Sequence, residues 1–596
     1  MKILGISCFF HDSAASITDN GVILAAAEEE RFSRIKHDSN FPFESIKFCL
    51  NMAGLKSGDL DYVIFYEKPL IKLNRILKTL GYNYPKSFEI YKDVINNWGS
   101  EKLWIIDFIK KTLNVPKKKI LFYEHHFSHA ASAFYCSEFE SSDLLTIDGV
   151  GEWTTTSFGK TEDQHLIRDN YIDFPHSLGL FYTAFTEFLG FEVNDGEYKV
   201  MGMAPYGEPI YLDKIDKLFK NKKGLNFELD LSYFNFHKSM NSNLSIKFLE
   251  LFGENRGKEE PFFIENFKDD LSDEKFEVSN RIKKRSKYYA DIASSVQNYI
   301  ENLILDFSKN LKSLNNNNNL SYAGGVAYNC SANSKLLKSG LYKNIFIQPA
   351  AGDSGGALGA ALGLDFIISG KKRANFSHVY LGKSFSDQEI RSYLDNNGIA
   401  YKFHENFDLL CDDVSDEIAN EKIVGWFQGS FEFGPRSLGN RSILADPRYF
   451  KNKKIVNSKI KFRELFRPFA PSSLKEFASI YYELNEHEIE QQPYSFMLST
   501  VKVREEYKDR LQAITHLDGT ARLQIVTKNQ NEKFHKLISS FGQKTGIFTL
   551  LNTSFNRRGE PIVSSPQDAI ATFNWTGIDL LVLNNFVIKK NNLNHK

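Results

Sequence analysis

Asp143-Leu144-Leu145-Thr146-Ile147-Asp148-Gly149-Val150-Gly151 is an apolar strand that ends on an acid and a glycine turn. Trp153–Phe158, rich in Trp and Thr, reads as the strand that follows it. The same plan opens the chain. Lys2–Ser7 (KILGIS) is a short apolar run, expected to be a buried strand, and a turn of small and polar residues, Phe9-Phe10-His11-Asp12-Ser13-Ala14-Ala15, follows it. Ala15–Thr18 and Val22–Glu28 then read as strands around Asp19-Asn20-Gly21, a hairpin signal. Strand, polar turn and hairpin, met twice, predict two halves of a duplicated α/β domain. No clean internal sequence repeat accompanies this pattern.

This plan is how a phosphate-handling actin-like domain of the sugar kinase/Hsp70 (ASKHA) type begins. Asp61–Phe65 and Lys119–Phe122 are expected to be further buried strands. The second leads into Glu124-His125-His126-Phe127-Ser128-His129-Ala130-Ala131-Ser132-Ala133-Phe134, which reads as a helix. His125 and His129 are four apart, so they share a face and can grip one metal ion. Asp148 and Asp353, each beside glycines, could complete the site. A zinc-peptidase reading fails, because the general base that should follow the first histidine is His126.

Asp195–Gly207 (DGEYKVMGMAPYG) is glycine-rich and charged, and reads as an ordered loop; 210–285 gives no reading. Tyr289, Ile292, Val296, Ile300, Leu303, Phe307 and Leu311 lie at helical spacing, which predicts an amphipathic core helix over 287–313. Leu320–Asn329 is a strand, a glycine pair and the start of a helix, and Gly352–Ala361 is a second glycine loop entering a helix of small residues. Two such loops beside a candidate metal acid favour a nucleotide site. Gly370–Asn375 reads as a linker, so the expected domains are 1–370 and 376–596.

Past the linker, Gly434–Arg448 holds three arginines among turn residues, Lys459–Pro471 holds four more cations, and His516–Arg522 and Leu551–Asn556 add polar groups. These cations sit among Gly, Pro and Phe rather than on Lys/Glu helices. Fixed guanidinium forks of that kind suit a phosphate or carboxylate.

Composition narrows the field. At 596 residues the chain exceeds one core. Lys plus Arg equals Asp plus Glu at 74 each, which argues against bulk nucleic-acid binding. Five scattered cysteines with no Cys-x-x-Cys make neither a disulfide framework nor a zinc ribbon and fit a reducing cytoplasm. No stretch of about 20 apolar residues could span a bilayer, and the N-terminal apolar run stops at His11-Asp12, too soon for a signal peptide. The expectation is a soluble cytoplasmic protein.

Taken together, HHFSHAASAF, DGVGE, GEYKVMGMAPYG, GGVAYN, GDSGGALGAAL, EFGPRSLGNRSILADPR, KFRELFRPFAP, HLDGTAR and LNTSFN cover almost the whole chain. They resemble the O-carbamoyltransferases of the nodulation-factor and antibiotic-tailoring type. The resemblance implies an actin-like N-terminal module followed by a YrdC-like α/β module. The second would make carbamoyl-adenylate from ATP and carbamoyl phosphate, and the first would pass the carbamoyl group to a hydroxyl beside an iron-type metal. By motif, the ligands would be His125, His129, Asp148 and Asp353. Arg436, Lys461, Arg467, Arg522 and Ser554 would hold carbamoyl phosphate, with Lys461 and Arg467 catalytic as well. Lys36, Gly324, Gly325, Asn329, Gly355 and Gly356 would hold the nucleotide. His11 and Asp12 would lie at the acceptor end and supply the base. Two imidazoles and two carboxylates suit Fe²⁺, Mn²⁺ or Zn²⁺ better than Mg²⁺, which would come with ATP. The expected partner is a small-molecule or sugar acceptor, with no nucleic acid and no membrane; acceptor and oligomeric state stay open. A tRNA threonylcarbamoyladenosine transferase and a non-catalytic actin-like nucleotide-binding protein are the alternatives. A hydrogenase-maturation carbamoyltransferase would need cysteine pairs that this chain lacks.

Overall fold

The computed structural model describes residues 1–89, 102–239, 242–258, 260–263, 280–372 and 376–590. The chain divides into two compact units, one of Met1–Tyr66, Ala131–Glu138 and Ile345–Lys596, the other of Glu67–Ala130 and Phe139–Asn344.

In the first unit, strands β1 (Lys2–Ser7), β2 (Ala14–Asp19), β3 (Val22–Glu28) and β4 (Tyr62–Phe65) lie in the order β3-β2-β1-β4. β1, β2 and β3 are antiparallel and β4 runs parallel to β1. The hairpin turn falls on Asn20 and Gly21, both with positive φ (50° and 76°), the geometry that asparagine and glycine tolerate. Helix Asp353–Ser369 packs on β1, and only glycine at position 5 allows it, since a Cβ there would lie 2.0 Å from the Ala357 carbonyl oxygen.

In the second unit, β5 (Asp143–Ile147), β6 (Thr154–Glu162), β7 (His165–Asp173) and β8 (Asn319–Ala323) repeat the plan in the order β7-β6-β5-β8. β5, β6 and β7 are antiparallel and β8 is parallel to β5. The fold is α/β and duplicated, as the two hairpin signals predict. The core helix runs over Asn280–Asn315, longer than its periodic stretch, and buries all seven expected residues.

Asp195–Gly207 is helical rather than a loop: Glu197–Met203 is α-helix and Ala204–Tyr206 a 3-10 turn. Val200 and Met203, three apart, are buried, and Glu197 accepts hydrogen bonds from the Asn194 amide (3.0 Å) and the Thr183 hydroxyl (3.1 Å). Its glycines serve close packing. Between 210 and 258 the chain forms helices Leu212–Asp216 and Ile246–Phe252 and a hairpin of Phe219–Lys223 with Asn226–Leu229. The linker reading falls partly on 373–375, outside the described residues; Gly370 ends the preceding helix with φ 64°.

The rest of the first unit is built on eight strands: β9 (Lys402–Phe403), β10 (Val424–Phe427), β11 (Arg441–Ala445), β12 (Ala470–Leu474), β13 (Gln524–Val526), β14 (Thr549–Ser554), β15 (Leu580–Leu583) and β16 (Phe586–Lys589). Their order is β9-β16-β15-β10-β11-β14-β12-β13, with β10/β15 and β12/β13 parallel and the other pairs antiparallel.

Gly207 tests the helical assignment. A Cβ there would lie 2.1 Å from the Ala290 carbonyl, so Gly207→Ala overpacks the core helix. A thermal melt should show a loss of about 1–3 kcal/mol; an unchanged melt would contradict this packing.

Candidate functional site

In the second unit β5 ends at Ile147 and hands on Asp148, while helix His125–Phe134 presents His125 and His129 one turn apart. His125 Nε2 lies 3.1 Å from His129 Nε2 and 3.1 Å from Asp148 Oδ2, and His129 Nε2 lies 3.7 Å from the same oxygen. Donors bound to one ion at about 2.1 Å sit roughly 3.0–3.4 Å apart. Two of the three spacings fall in that range and the third, at 3.7 Å, is slightly longer; with two imidazoles and one carboxylate the donor set suits a divalent transition metal.

The residues around these donors hold them in place. Gly325 N–H donates to Asp148 Oδ1 at 2.8 Å, which leaves Oδ2 for the histidines. Gly324 has φ 95°, and a Cβ there would strike the Ile147 carbonyl at 2.3 Å. Burial alone would raise the Asp148 carboxyl; the bonds from His125 and His129 outweigh it and hold it well below its ordinary range. Glu67 Oε2 lies 3.7 Å from His125 Nδ1 and takes a 2.6 Å bond from Lys72, while Glu152 accepts the His125 amide at 3.1 Å. Carboxylates behind a ligating imidazole fix its orientation and raise its basicity. Glu67, Lys72 and Glu152 were missed in the sequence, because no spacing rule joins them to His125. His126 turns away: its Nδ1 is 2.6 Å from the Thr146 hydroxyl, in a buried chain that continues to Ser157.

Asp353, the fourth expected ligand, belongs to the first unit. It is buried at the start of helix Asp353–Ser369 and accepts a 3.1 Å bond from Tyr66 Oη. The expected nucleotide glycines have packing roles of their own. A Cβ on Gly355 would lie 2.0 Å from the Ala350 carbonyl, and one on Gly356 would lie 2.9 Å from the Tyr66 ring. Asn329, in the second unit, caps helix Cys330–Lys338 by accepting from Ala332 N.

His11 and Asp12, also in the first unit, come together with His37, which the sequence had not singled out. His11 Nδ1 lies 2.7 Å from Asp12 Oδ2 and His37 Nδ1 lies 2.8 Å from Asp12 Oδ1, with the two rings stacked at 4.7 Å. Burial alone would lower His11; the hydrogen bond and charge of Asp12 outweigh it and raise the imidazole to about 9.

Two of the polar motifs meet in the first unit, where Lys461 reaches Ser554 at the end of β14 and Asn556 beyond it. Lys461 Nζ, 4% exposed as a residue, donates to Ser554 Oγ (3.1 Å), Asn556 O (3.1 Å), Asn556 Oδ1 (2.8 Å) and the Ser554 carbonyl. All four are neutral oxygens. Burial first, then the charges of Arg463, Arg467 and Lys36, push this ammonium well below its ordinary range. Lys453, which the sequence reading passed over, is pushed down to about 8 by burial and by Arg463. Arg522 adds its charge beside His516, where burial comes first in lowering the imidazole to about 4. Of the three arginines of Gly434–Arg448, two are committed to the fold. Arg441 donates to the carbonyls of Gln428, Gly429, Lys383 and Asn440, and Arg448 pairs with Asp446 at 2.6 Å. Arg436 is half-buried on the same loop.

Two family models match the chain, the carbamoyltransferase N-terminus over residues 2–362 and the carbamoyltransferase C-terminus over 415–590. An uncharacterized protein of Synechocystis sp. is 41% identical, over 99% of this chain and 96% of that one. Nodulation protein NolNO of Sinorhizobium fredii is 37% identical, over 98% of this chain and 79% of that protein. The 3'-hydroxymethylcephem-O-carbamoyltransferase of Streptomyces clavuligerus is 32% identical over 44% of this chain and 47% of its own. Among solved structures, component A of Acidaminococcus fermentans (R)-2-hydroxyglutaryl-CoA dehydratase aligns with 62% of this chain and all of its own at 14% identity and a TM-score of 0.32, too distant to bear on function. Among the described residues, no helix is long and apolar enough to cross a membrane.

The Glu67–Lys72 pair gives a pH-linked test. Burial alone would raise the Glu67 carboxyl; Lys72 first, and then His125, bring it down from 4.5 to about 2. A depressed carboxyl adds stability that is present above 4.5 and lost as pH falls through about 2. Lys72→Met should cost about 3–5 kcal/mol at neutral pH by stranding a buried carboxylate. Lys72→Met with Glu67→Gln should recover most of that and flatten the acid limb of a pH melt; equal losses in both variants would contradict the pairing.

Proposed function

The chain belongs to the carbamoyltransferase family and is an enzyme that transfers carbamoyl groups, and from that premise we propose an ATP-dependent O-carbamoyltransferase that works in two half-reactions. A YrdC-like module over 376–596 makes carbamoyl-adenylate. An actin-like module over 1–370 passes the carbamoyl group to the hydroxyl of a small-molecule or sugar acceptor. The names of two relatives, a nodulation protein and a 3'-hydroxymethylcephem-O-carbamoyltransferase, support an acceptor of that class.

In the first half-reaction, water cleaves the phosphorus–oxygen bond of carbamoyl phosphate to leave carbamate and inorganic phosphate, and the carbamate oxygen displaces pyrophosphate from the α-phosphorus of ATP. Lys461, Arg436, Arg467, Arg522 and Ser554 hold the phosphate and neutralise the charge that develops. The support is Lys461 itself, a buried ammonium bonded only to neutral oxygens in a cationic neighbourhood. Such a group calls for an anion. Lys36 and the glycine loop at Gly355-Gly356 border the nucleotide.

In the second half-reaction, His11 Nε2 takes the proton of the acceptor hydroxyl while the hydroxyl oxygen bonds to the carbamoyl carbon and AMP leaves. Asp12 orients the His11 ring through Nδ1. His125, His129 and Asp148 would hold a divalent ion, Fe²⁺ before Mn²⁺ or Zn²⁺, which would supply Lewis-acid polarisation of the transferred group. The observation that carries the reading is the set of three donor atoms of His125, His129 and Asp148 at 3.1–3.7 Å.

Two tests follow. His125→Ala and His129→Ala should each abolish the gain of carbamoyl mass on a hydroxylated acceptor, yet leave carbamoyl-phosphate-dependent pyrophosphate release from ATP; loss of both together would refute the division. Transfer should also climb with pH toward about 9, since His11 must be neutral to accept a proton. Asp12→Asn removes the charge that raises His11, so the limb should move down toward the ordinary histidine value of about 6.5. A limb that stays put would remove His11 as the base.

A further inference from the structure

β3 ends at Glu28, and the turn that follows carries Arg31 and Arg34. Both arginines reach loops more than 400 residues away within the same unit. Arg34 donates to the carbonyls of Ile562 (2.7 Å) and Pro561 (2.8 Å), and its Nε lies 3.4 Å from Asp568. Arg31 is 1% exposed, and its Nη2 donates to the Gly434 carbonyl at 2.6 Å. The amide of Gly434 donates to Glu28 Oε1 at 2.5 Å, and Arg31 Nε lies 3.5 Å from Glu28 Oε2. The two side chains thus grip one residue by both its N–H and its C=O and neutralise each other. Burial pushes the Glu28 carboxyl up to about 7, with Arg31 pulling against it.

Two buried charges brought so far along the chain to one peptide are costly to assemble, and the fold has cheaper ways to satisfy one backbone amide. What distinguishes Gly434 is its position and shape. It has φ 116°, a conformation L side chains rarely adopt, and it stands two residues before Arg436. Downstream, buried Glu432 accepts the amides of Leu438 (2.8 Å) and Asn440 (2.9 Å), so the turn around Arg436 is held on both sides.

We propose that Arg31, with Glu28, is a positioning residue that fixes the Gly434 turn and through it the pose in which Arg436 receives carbamoyl phosphate. The inference rests on the role proposed for Arg436 above. It makes the end of an N-terminal hairpin a working part of the adenylation pocket.

The test measures pyrophosphate release against carbamoyl phosphate and ATP, with thermal melts and amide exchange at Gly434, for Arg31→Met, Arg31→Lys and the pair Glu28→Gln with Arg31→Met. The double variant removes both buried charges, so it guards against a variant that fails to fold. In Arg31→Met and the double variant, KM for carbamoyl phosphate should rise about tenfold while kcat and KM for ATP stay within about threefold. Arg31→Lys, which keeps a donor for the Gly434 carbonyl, should recover most of the loss. A lowered melt with KM unchanged, or an equal fall in every kinetic constant, would overturn the positioning role and leave the functional reading intact. Should the unaltered protein show no carbamoyl-phosphate-dependent turnover, the functional reading falls instead. The clamp is then read from exchange alone: faster exchange of the Gly434 amide in the double variant supports it, and unchanged protection overturns it.

Discussion

A carboxylate buried at the end of a strand is costly unless every lone pair is answered. Asp148 offsets much of that cost with the Gly325 amide on Oδ1 at 2.8 Å and the His125 imidazole 3.1 Å from Oδ2, with His129 at 3.7 Å. Much of the second unit follows from this. Gly324 must take a positive φ so that Gly325 can offer its amide. Gly151 must lack a Cβ, since one would sit 3.0 Å from the His125 ring, and Gly179 must lack one because it would lie 2.7 Å from the Asp148 carbonyl. Glu67, Lys72 and Glu152 then fix His125 from behind. The three donors are held in place by backbone and packing, the pre-organisation a metal centre needs.

The net charge of zero hides a local imbalance. Lys36, Lys453, Lys461, Arg463, Arg467 and Arg522 act on one another, as the lowered values of Lys453, Lys461 and His516 record. Arg441 and Arg448 belong to the same basic motif yet are occupied by carbonyls and by Asp446. Residue type and spacing alone do not reveal those commitments.

The sequence made the duplicated hairpins legible because their turn chemistry is local: Asn20-Gly21 demands one turn, and alternation fixes the faces. His125 and His129 were legible for the same reason, since helical spacing is a property of neighbours. The helix at Glu197–Met203 was misread because a glycine beyond its end, Gly207, answers to a distant backbone, that of Ala290, which composition does not reveal. Gly355 and Gly356 also face atoms close enough to forbid a Cβ, the nearby Ala350 carbonyl and the Tyr66 ring. His37 escaped notice because its partner, Asp12, lies 25 residues away and is met only through tertiary folding. Glu28 and Arg31 escaped for the same reason at more than 400 residues.

The central claim is that His125, His129 and Asp148 share one cation. X-ray absorption at the iron K-edge of the purified, iron-loaded protein tests it directly. The account predicts imidazole scattering from two histidines with metal–nitrogen bonds of about 2.1 Å, and the loss of one imidazole contribution in His129→Ala. An edge with no imidazole contribution, or one that His129→Ala leaves unchanged, would contradict it.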